Sequence, residues 1–404
     1  MQPSCKCDRR GGEILRVGRY VLDDKVGLIT ADGERKSLRP QSLTVLRTLA
    51  ANPGKVVSRD DLITAAWGDI HVSDDSLTQC IADIRRAIGA SAKEIVQTVP
   101  RRGYLLVVEA PLARSQSHSA PVIRYTSSRD QTRIAWTETG QGVPLLKTPS
   151  WITNIETEPS SKLHGPFIRR IAERARTVSF DQRGSSLSGP LTGPITLDAM
   201  CEDILSVADA AGLDRFVMFG PSQGMSYAID FAARYPERVL GIIGRGGFAR
   251  GWLATGDPTQ AVKYETSRRM IEIGWHDENP EYRRFFTARL FPDAYPDLAR
   301  EYDELQRLAV DPKSMLANLD FWCRVDVTEQ ARRLNCPVLL LHSRGDRATP
   351  FASATELAAL ISECELIPLE GDNHMPIPGT RAYEQFLSAI ETFLDRFSIH
   401  KGDC

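Results

Sequence analysis

No apolar run in this 404-residue chain approaches the roughly 18 residues that would cross a bilayer. Its opening, MQPSCKCDRRGGEILRVGRY, holds no apolar core segment, so a secretory signal is not expected there. Cysteine is scarce and scattered: of eight, only Cys5 and Cys7 are close, and no second pair completes a zinc site. That usage suits reduced thiols in a cytoplasmic protein. A glycine-rich phosphate loop, a dinucleotide fingerprint and a metal-ligand cluster are also missing, so no cofactor and no metal are expected. No internal repeat is found. With 42% hydrophobic and 25% charged residues the chain reads as globular rather than disordered or fibrous. At roughly 100–200 residues per domain, its length allows two or three domains.

The net charge of −2 is unevenly divided. Residues 1–110 carry 17 Lys+Arg against 14 Asp+Glu, a net of +3, and the remainder carries 33 against 38, a net of −5. The split permits a nucleic-acid-binding front without requiring one. The Ser/Pro/Ala-rich stretch EAPLARSQSHSAP has no sustained periodicity. It sets domain boundaries of 1–110, a linker at 111–121, and 122–404.

In the front domain, SLRPQSLTVLRTLAANPG predicts a helix with Ser37 as N-cap and Leu43, Leu46 and Leu49 at helical spacing. Ser58 caps a second, short helix carrying Leu62, Ile63 and Trp67. In SDDSLTQCIADIRRAIG, Leu77, Ile81, Ile84 and Ile88 make one buried face, and Ser76, Gln79, Asp83, Arg85 and Arg86 the other. EIVQTVPRRGYLLVVE then reads as two strands around a tight turn bearing Arg101 and Arg102. Three helices followed by a basic hairpin form the winged helix-turn-helix plan. In that plan the third helix enters the major groove and the hairpin tip reaches the flanking backbone.

These residues carry a specific resemblance. NPGKVVSR, the WG pair, IADIRRAIG and TVPRRGY stand in the order of the OmpR/PhoB-type DNA-binding domain, over about 95 residues. The resemblance implies an α+β winged helix binding double-stranded DNA, with Ser76, Gln79, Arg85 and Arg86 facing DNA and Thr98, Arg101 and Arg102 near phosphate. The middle of the third helix is less basic than in many relatives, with Ala82 and Asp83 there. That favours a homodimer on paired half-sites.

The back domain alternates apolar runs such as RFVMF, RVLGII and CPVLLLH with helical stretches, the pattern of a mostly parallel, doubly wound sheet. Between roughly 248 and 330 helices follow one another with no strand, which predicts a helical cap. RFVMFGPSQGMSYAIDFAARYP is a strand, then G-x-S-x-G, then an amphipathic helix. A strained strand-to-helix turn exposes a nucleophilic serine in this way, here Ser222. Chain order Ser, acid, His then selects among seven histidines. His374 follows the strand and turn CELIPLEGDNH, and Asp346 follows CPVLLLH. Ser222 would attack, His374 would shuttle its proton, and Asp346 would orient the imidazole.

Over about 275 residues this half resembles the α/β-hydrolase superfamily. FDQRGSSLSG is similar to that superfamily's D-x-R-G-x-G-x-S turn, with Ser186 where glycine is common. The resemblance implies an oxyanion hole made by the Gln223 N–H and a donor from the loop VPLLKTPSWITNIE. That loop lacks the usual His-Gly, and Pro149 has no N–H, so the second donor is Ser150 or Trp151. Losing one donor costs on the order of 100–1000-fold in rate. Aromatic residues (Trp151, Phe248, Trp252, Trp275, Phe321, Trp322) are candidates to line an apolar pocket, Trp151 foremost. The expectation is a one-component transcriptional regulator sensing a small apolar or ester-like ligand, with slow hydrolysis of that ligand compatible with the site. The alternative is an active serine esterase or lactonase with an accessory DNA-binding domain.

Overall fold

The computed structural model describes residues 120–398 without a break. In the front part it describes residues 38–52, 56–68, 72, 74–88, 95–99 and 102–106, with the backbone of short strands between 15 and 36. The chain divides into two compact units, Met1–His118 and Ser119–Cys404.

The first unit holds helices α1 (Pro40–Ala50), α2 (Arg59–Trp67) and α3 (Asp74–Ile88). Strands β5 (Val56–Val57), β6 (Val96–Val99) and β7 (Gly103–Leu106) form an antiparallel sheet in the order β5-β7-β6. Leu77, Ile81, Ile84 and Ile88 are buried as their spacing predicts, against Val45, Leu46, Leu49, Leu62 and Leu106. The Ser58 hydroxyl caps α2 by accepting the Asp61 N–H at 3.1 Å. Residue 37 lies outside the described residues. The N-cap of α1 is Arg39, without a side-chain cap bond, and Pro40 opens the helix with its preset φ. The turn into β7 needs glycine at 103: φ is +138°, and a Cβ there would stand 1.9 Å from the Val57 carbonyl oxygen. Ahead of α1, strands β1 (Leu15–Val17), β2 (Tyr20–Asp23), β3 (Gly27–Thr30) and β4 (Arg35–Lys36) make an antiparallel meander. Residue spacing predicts no element there, because each strand spans four residues or fewer and leaves almost no alternation to read.

The second unit is built on eight strands, β8 (Arg124–Ser127), β9 (Arg133–Thr139), β10 (Val143–Lys147), β11 (Ala175–Phe180), β12 (Phe216–Pro221), β13 (Val239–Arg245), β14 (Val338–Ser343) and β15 (Cys364–Leu369). Their order is β15-β14-β13-β12-β10-β11-β9-β8, and only the β11–β9 and β9–β8 pairs are antiparallel. Every residue of β12 and β14 is buried, which is why those strands read as unbroken apolar runs. Helices α4 (His164–Ile171), α5 (Leu197–Ala210), α6 (Gly224–Arg234), α11 (Thr328–Arg332), α12 (Phe351–Leu360) and α13 (Arg381–Asp395) accompany the sheet.

Between β13 and β14 run four further helices, α7 (Pro258–Gly274), α8 (Glu281–Leu290), α9 (Pro296–Ala309) and α10 (Pro312–Arg324). Their own core gathers Tyr264, Ile271, Trp275, Phe286, Met315 and Leu319 with Ile152 of the β10 loop. Arg283 is buried there without a carboxylate. It donates instead to the carbonyls of Asp303, Trp275 and Asp277 and so ties α7 to α8 and α9. The strand order reverses between β12 and β10, the kind of switch point where open α/β sheets leave a crevice at their carboxyl ends.

Candidate functional site

Ser222 follows the last residue of β12 and has φ +55°, one of three described non-glycine residues at positive φ. That left-handed turn reverses the chain within two residues and leaves the side chain half-buried at its apex. A Cβ at Gly220 would lie 2.8 Å from Met225 Cα, and one at Gly224 would lie 2.4 Å from both the Pro149 oxygen and Thr148 Oγ1. The turn therefore closes only with small residues on either side of Ser222. Pro221 costs the sheet nothing, because the Ser222 N–H makes the next bond, to the Arg245 oxygen at 2.7 Å.

Asp346 and His374, on the loops after β14 and β15, come together. His374 Nδ1 lies 2.7 Å from Asp346 Oδ2. The other carboxylate oxygen accepts the Ala348 and Thr349 N–H groups. Burial works to raise the Asp346 pKa, but the charge and hydrogen bond of His374 prevail and hold it below the ordinary carboxylate value. The acid is thereby kept ionised to fix the ring. His374 Nε2 is buried and has no hydrogen-bond partner, so the Asp–His link is made while the Ser–His link is not. His374 packs edge-on against Gly246, where a Cβ would stand 2.4 Å from its Cε1. His342, on β14, also lies 3.4 Å from Asp346, but its Nε2 is 2.8 Å from the Thr349 oxygen.

The loop after β10 runs alongside. Lys147 Nζ bonds Glu158 in a buried ion pair, and Thr148 Oγ1 bonds the Gly224 oxygen at 2.9 Å. The Ser150 N–H donates to Thr153 Oγ1 at 3.2 Å. Gln223 is the N-cap residue of α6, where backbone N–H groups lack intrahelical partners. Asn318 of α10 accepts from Gln223 Nε2 at 2.7 Å and donates to the Trp151 oxygen at 3.3 Å, which bridges the turn to the loop. No motif marks Asn318 in the sequence. It is one amide in an amphipathic helix, and only the packing of α10 brings it here.

Beside Ser222 lies a cavity of about 50 Å³ whose lining includes Gln223, Trp151, Phe248, Trp252, Phe286 and Trp322. Of the expected aromatics, Trp275 and Phe321 do not line it. Trp275 is buried with its Nε1 donating to the Val310 oxygen, and Phe321 stacks on Tyr227. The turn FDQRGSSLSG supports the loop from below. Asp181 accepts the Ile155 and Leu187 N–H groups, and Arg183 pairs with Asp203 and Asp130. Ser186 has φ +48°, which accounts for glycine being common at that place in relatives.

In the winged-helix unit, Gln79, Arg86, Thr98 and Arg102 are exposed and Ser76 is half-buried. Arg101 lies outside the described residues. Arg85 is engaged: its guanidinium donates to the Val96 oxygen at 2.6 Å and to Thr98 Oγ1 at 2.9 Å, bracing α3 against β6. Asp83, in the middle of α3, is neutralised by Arg39 at 2.5 Å and Arg86 at 3.2 Å and accepts from Ser42. Its charge therefore ties α3 to α1 rather than facing out alone.

Comparisons with known proteins agree with both halves. The family described as transcriptional regulatory protein, C terminal, matches residues 33–106, and that described as alpha/beta hydrolase fold matches residues 159–377. The transcriptional activator CadC of Escherichia coli strain K12 is 26% identical over 158 residues, covering 38% of this chain and 28% of CadC. RutD of Klebsiella pneumoniae, named for carbamate hydrolysis, is 23% identical over 213 residues, covering 50% of this chain and 76% of RutD. The esterase RhEst1 from Rhodococcus sp. ECU1013 has the fold of the second unit, with a TM-score of 0.56 at 22% identity over 68% of this chain and 98% of that one.

Proposed function

We propose, from the premise that this chain belongs to the alpha/beta hydrolase fold family and carries an OmpR/PhoB-type DNA-binding domain ahead of it, that it is a one-component transcriptional regulator. The winged helix binds operator DNA as a homodimer, with Ser76, Gln79 and Arg86 toward bases and Thr98, Arg101 and Arg102 toward phosphate. The hydrolase-type pocket binds a small organic ligand and alters DNA affinity. The observation that carries this reading is the joint presence, in one chain, of a winged helix and an aromatic cavity opening on Ser222.

A second reading, an active serine esterase or lactonase, is favoured by the 2.7 Å Asp346–His374 contact and the left-handed turn at Ser222. In that chemistry Ser222 Oγ attacks an ester carbonyl as its proton passes to His374 Nε2, and the imidazolium is held by Asp346. The oxyanion takes the Gln223 N–H and one from the β10 loop. With the Ser150 N–H turned to Thr153, the Trp151 N–H is the donor left. The two readings meet in a sensor that slowly cleaves its own inducer, so that the signal terminates itself.

Ser222→Ala, scored on ester hydrolysis and on ligand-dependent release of DNA, separates them. The regulator reading expects release to persist in the variant. Rapid turnover of a simple aryl ester by the unmutated protein, with no effect of any ester on DNA binding, would sink it.

A further inference from the structure

One wall of the cavity beside Ser222 is unlike the rest. Arg289 of α8 lines it, half-buried, with its guanidinium carbon 4.8 Å from the ring centroid of Trp252 and 5.8 Å from that of Phe285. Among the described residues Arg289 forms no ion pair; its one hydrogen bond is to the Arg347 carbonyl at 3.3 Å. Burial lowers its pKa and the charge of Asp346 opposes that, but the Asp346 oxygens are engaged by His374 and by the Ala348 and Thr349 N–H groups. Two further donors share the cavity. Ser267 Oγ and Trp322 Nε1 are buried, and neither has a hydrogen-bond partner.

A cation with one long bond to a carbonyl and two buried neutral donors with no acceptor, beside the rings of Trp151, Phe248, Trp252 and Phe286, are costly to leave unsatisfied. They are complementary to one kind of group, an anion with several acceptor oxygens. The cation–π contact with Trp252 holds the guanidinium at the cavity wall and so lowers the rotamer freedom left to lose on binding. The cavity, about 50 Å³ against the roughly 10–15 Å³ that admits one water, favours a short ligand.

We infer that the ligand of this pocket is a short organic carboxylate, held by Arg289, Ser267 and Trp322, with its ester or lactone carbonyl presented to Ser222. This rests on the pocket assigned above and names the class of ligand for it. Arg289 is then a specificity-determining residue.

The test uses the full chain with Ser222→Ala, so that nothing is consumed, and follows tryptophan fluorescence, since Trp151, Trp252 and Trp322 line the cavity. Methyl hydrogen succinate is compared with uncharged dimethyl succinate. The charged ester is expected to bind about tenfold more tightly or better. Adding Arg289→Gln should erase that preference, and Arg289→Lys should retain part of it. Equal binding of the two esters, no binding of either, or a preference that survives Arg289→Gln overturns the inference. The comparison of esters needs no change at 289, so it remains decisive even where a variant at that position fails to fold. Labelling of Ser222 in the unmutated chain by a neutral fluorophosphonate is a separate measurement. Its failure alongside a clear carboxylate preference would sink the serine chemistry and leave the anion pocket standing.

Discussion

Ser222 sits at φ +55° because the chain must turn from β12 into α6 within two residues, and the small neighbours at 220 and 224 permit it. The Gly224→Ala change puts a methyl group 2.4 Å from the Pro149 oxygen, which is backbone and cannot swing aside. We expect it to cost about 1–3 kcal/mol of stability, read as a lower denaturation midpoint, and to displace Ser222 enough to abolish its labelling by a fluorophosphonate. Asp346→Asn is a different experiment on the same triad. The amide nearly preserves shape but no longer holds His374 in the tautomer that leaves Nε2 as acceptor. If the protein turns over an aryl ester at all, kcat should fall on the order of 10⁴-fold. An unchanged rate would show that the Asp346 carboxylate does not serve the base that activates the serine.

At the scale of elements, helix α3 of the winged unit divides its two arginines between jobs. Arg85 directs its fork to the Val96 carbonyl and the Thr98 hydroxyl, whereas Arg86 is exposed and makes one ion pair with Asp83. Arg85→Ala is therefore expected to lower the melting temperature of the winged-helix unit, by roughly the 1 kcal/mol or more that a charged donor to a partly buried carbonyl contributes. Arg86→Ala should leave melting unchanged and weaken DNA binding. The variant Arg102→Ala, at the exposed wing turn, should weaken binding across all sequences alike and reduce the salt slope of log K by about 1. The buried faces of these helices were legible in the sequence, since Leu77, Ile81, Ile84 and Ile88 repeat at helical spacing and all are buried. The division of labour between neighbouring arginines was not, because it depends on strand β6, further along the chain, folding back against the helix.

Across the hydrolase unit, charge buried behind the site makes stability depend on pH. His164 sits beside the Lys147–Glu158 pair with its Nδ1 buried and unpartnered. Burial lowers its pKa from 6.5 to about 4, against the pull of Glu158 and with the push of Lys147 and Arg245. A depressed folded-state pKa means the contribution is complete above 6.5 and is lost as pH falls toward 4. Burial raises Asp181 from 3.8 to about 7, which acts with the opposite sign, its contribution being lost as pH rises through that range. The unmutated curve alone blends the two. The variant His164→Gln should lose less stability than the unmutated protein between pH 6.5 and 4, measured as denaturant midpoints along the titration. Parallel curves would show that His164 does not titrate in that window.

Features written locally were legible before any fold was seen. Alternation, helical periodicity and caps marked the winged helix and the parallel sheet, and the order Ser222, Asp346, His374 followed from chain order and from the elements each residue ends. Those signals are legible because an element of about ten residues shows its buried face in its own spacing. Contacts between distant segments could be read only from the folded chain. The Ser150 N–H is turned to Thr153, Asn318 bridges Gln223 to Trp151, and Arg289 enters the cavity without a carboxylate while Arg283, earlier on the same helix, is satisfied by carbonyls. Arg283 and Arg289, two of the three arginines on one short helix, look alike in a sequence. They differ because one side of α8 faces its neighbouring helices and the other faces the space beside Ser222.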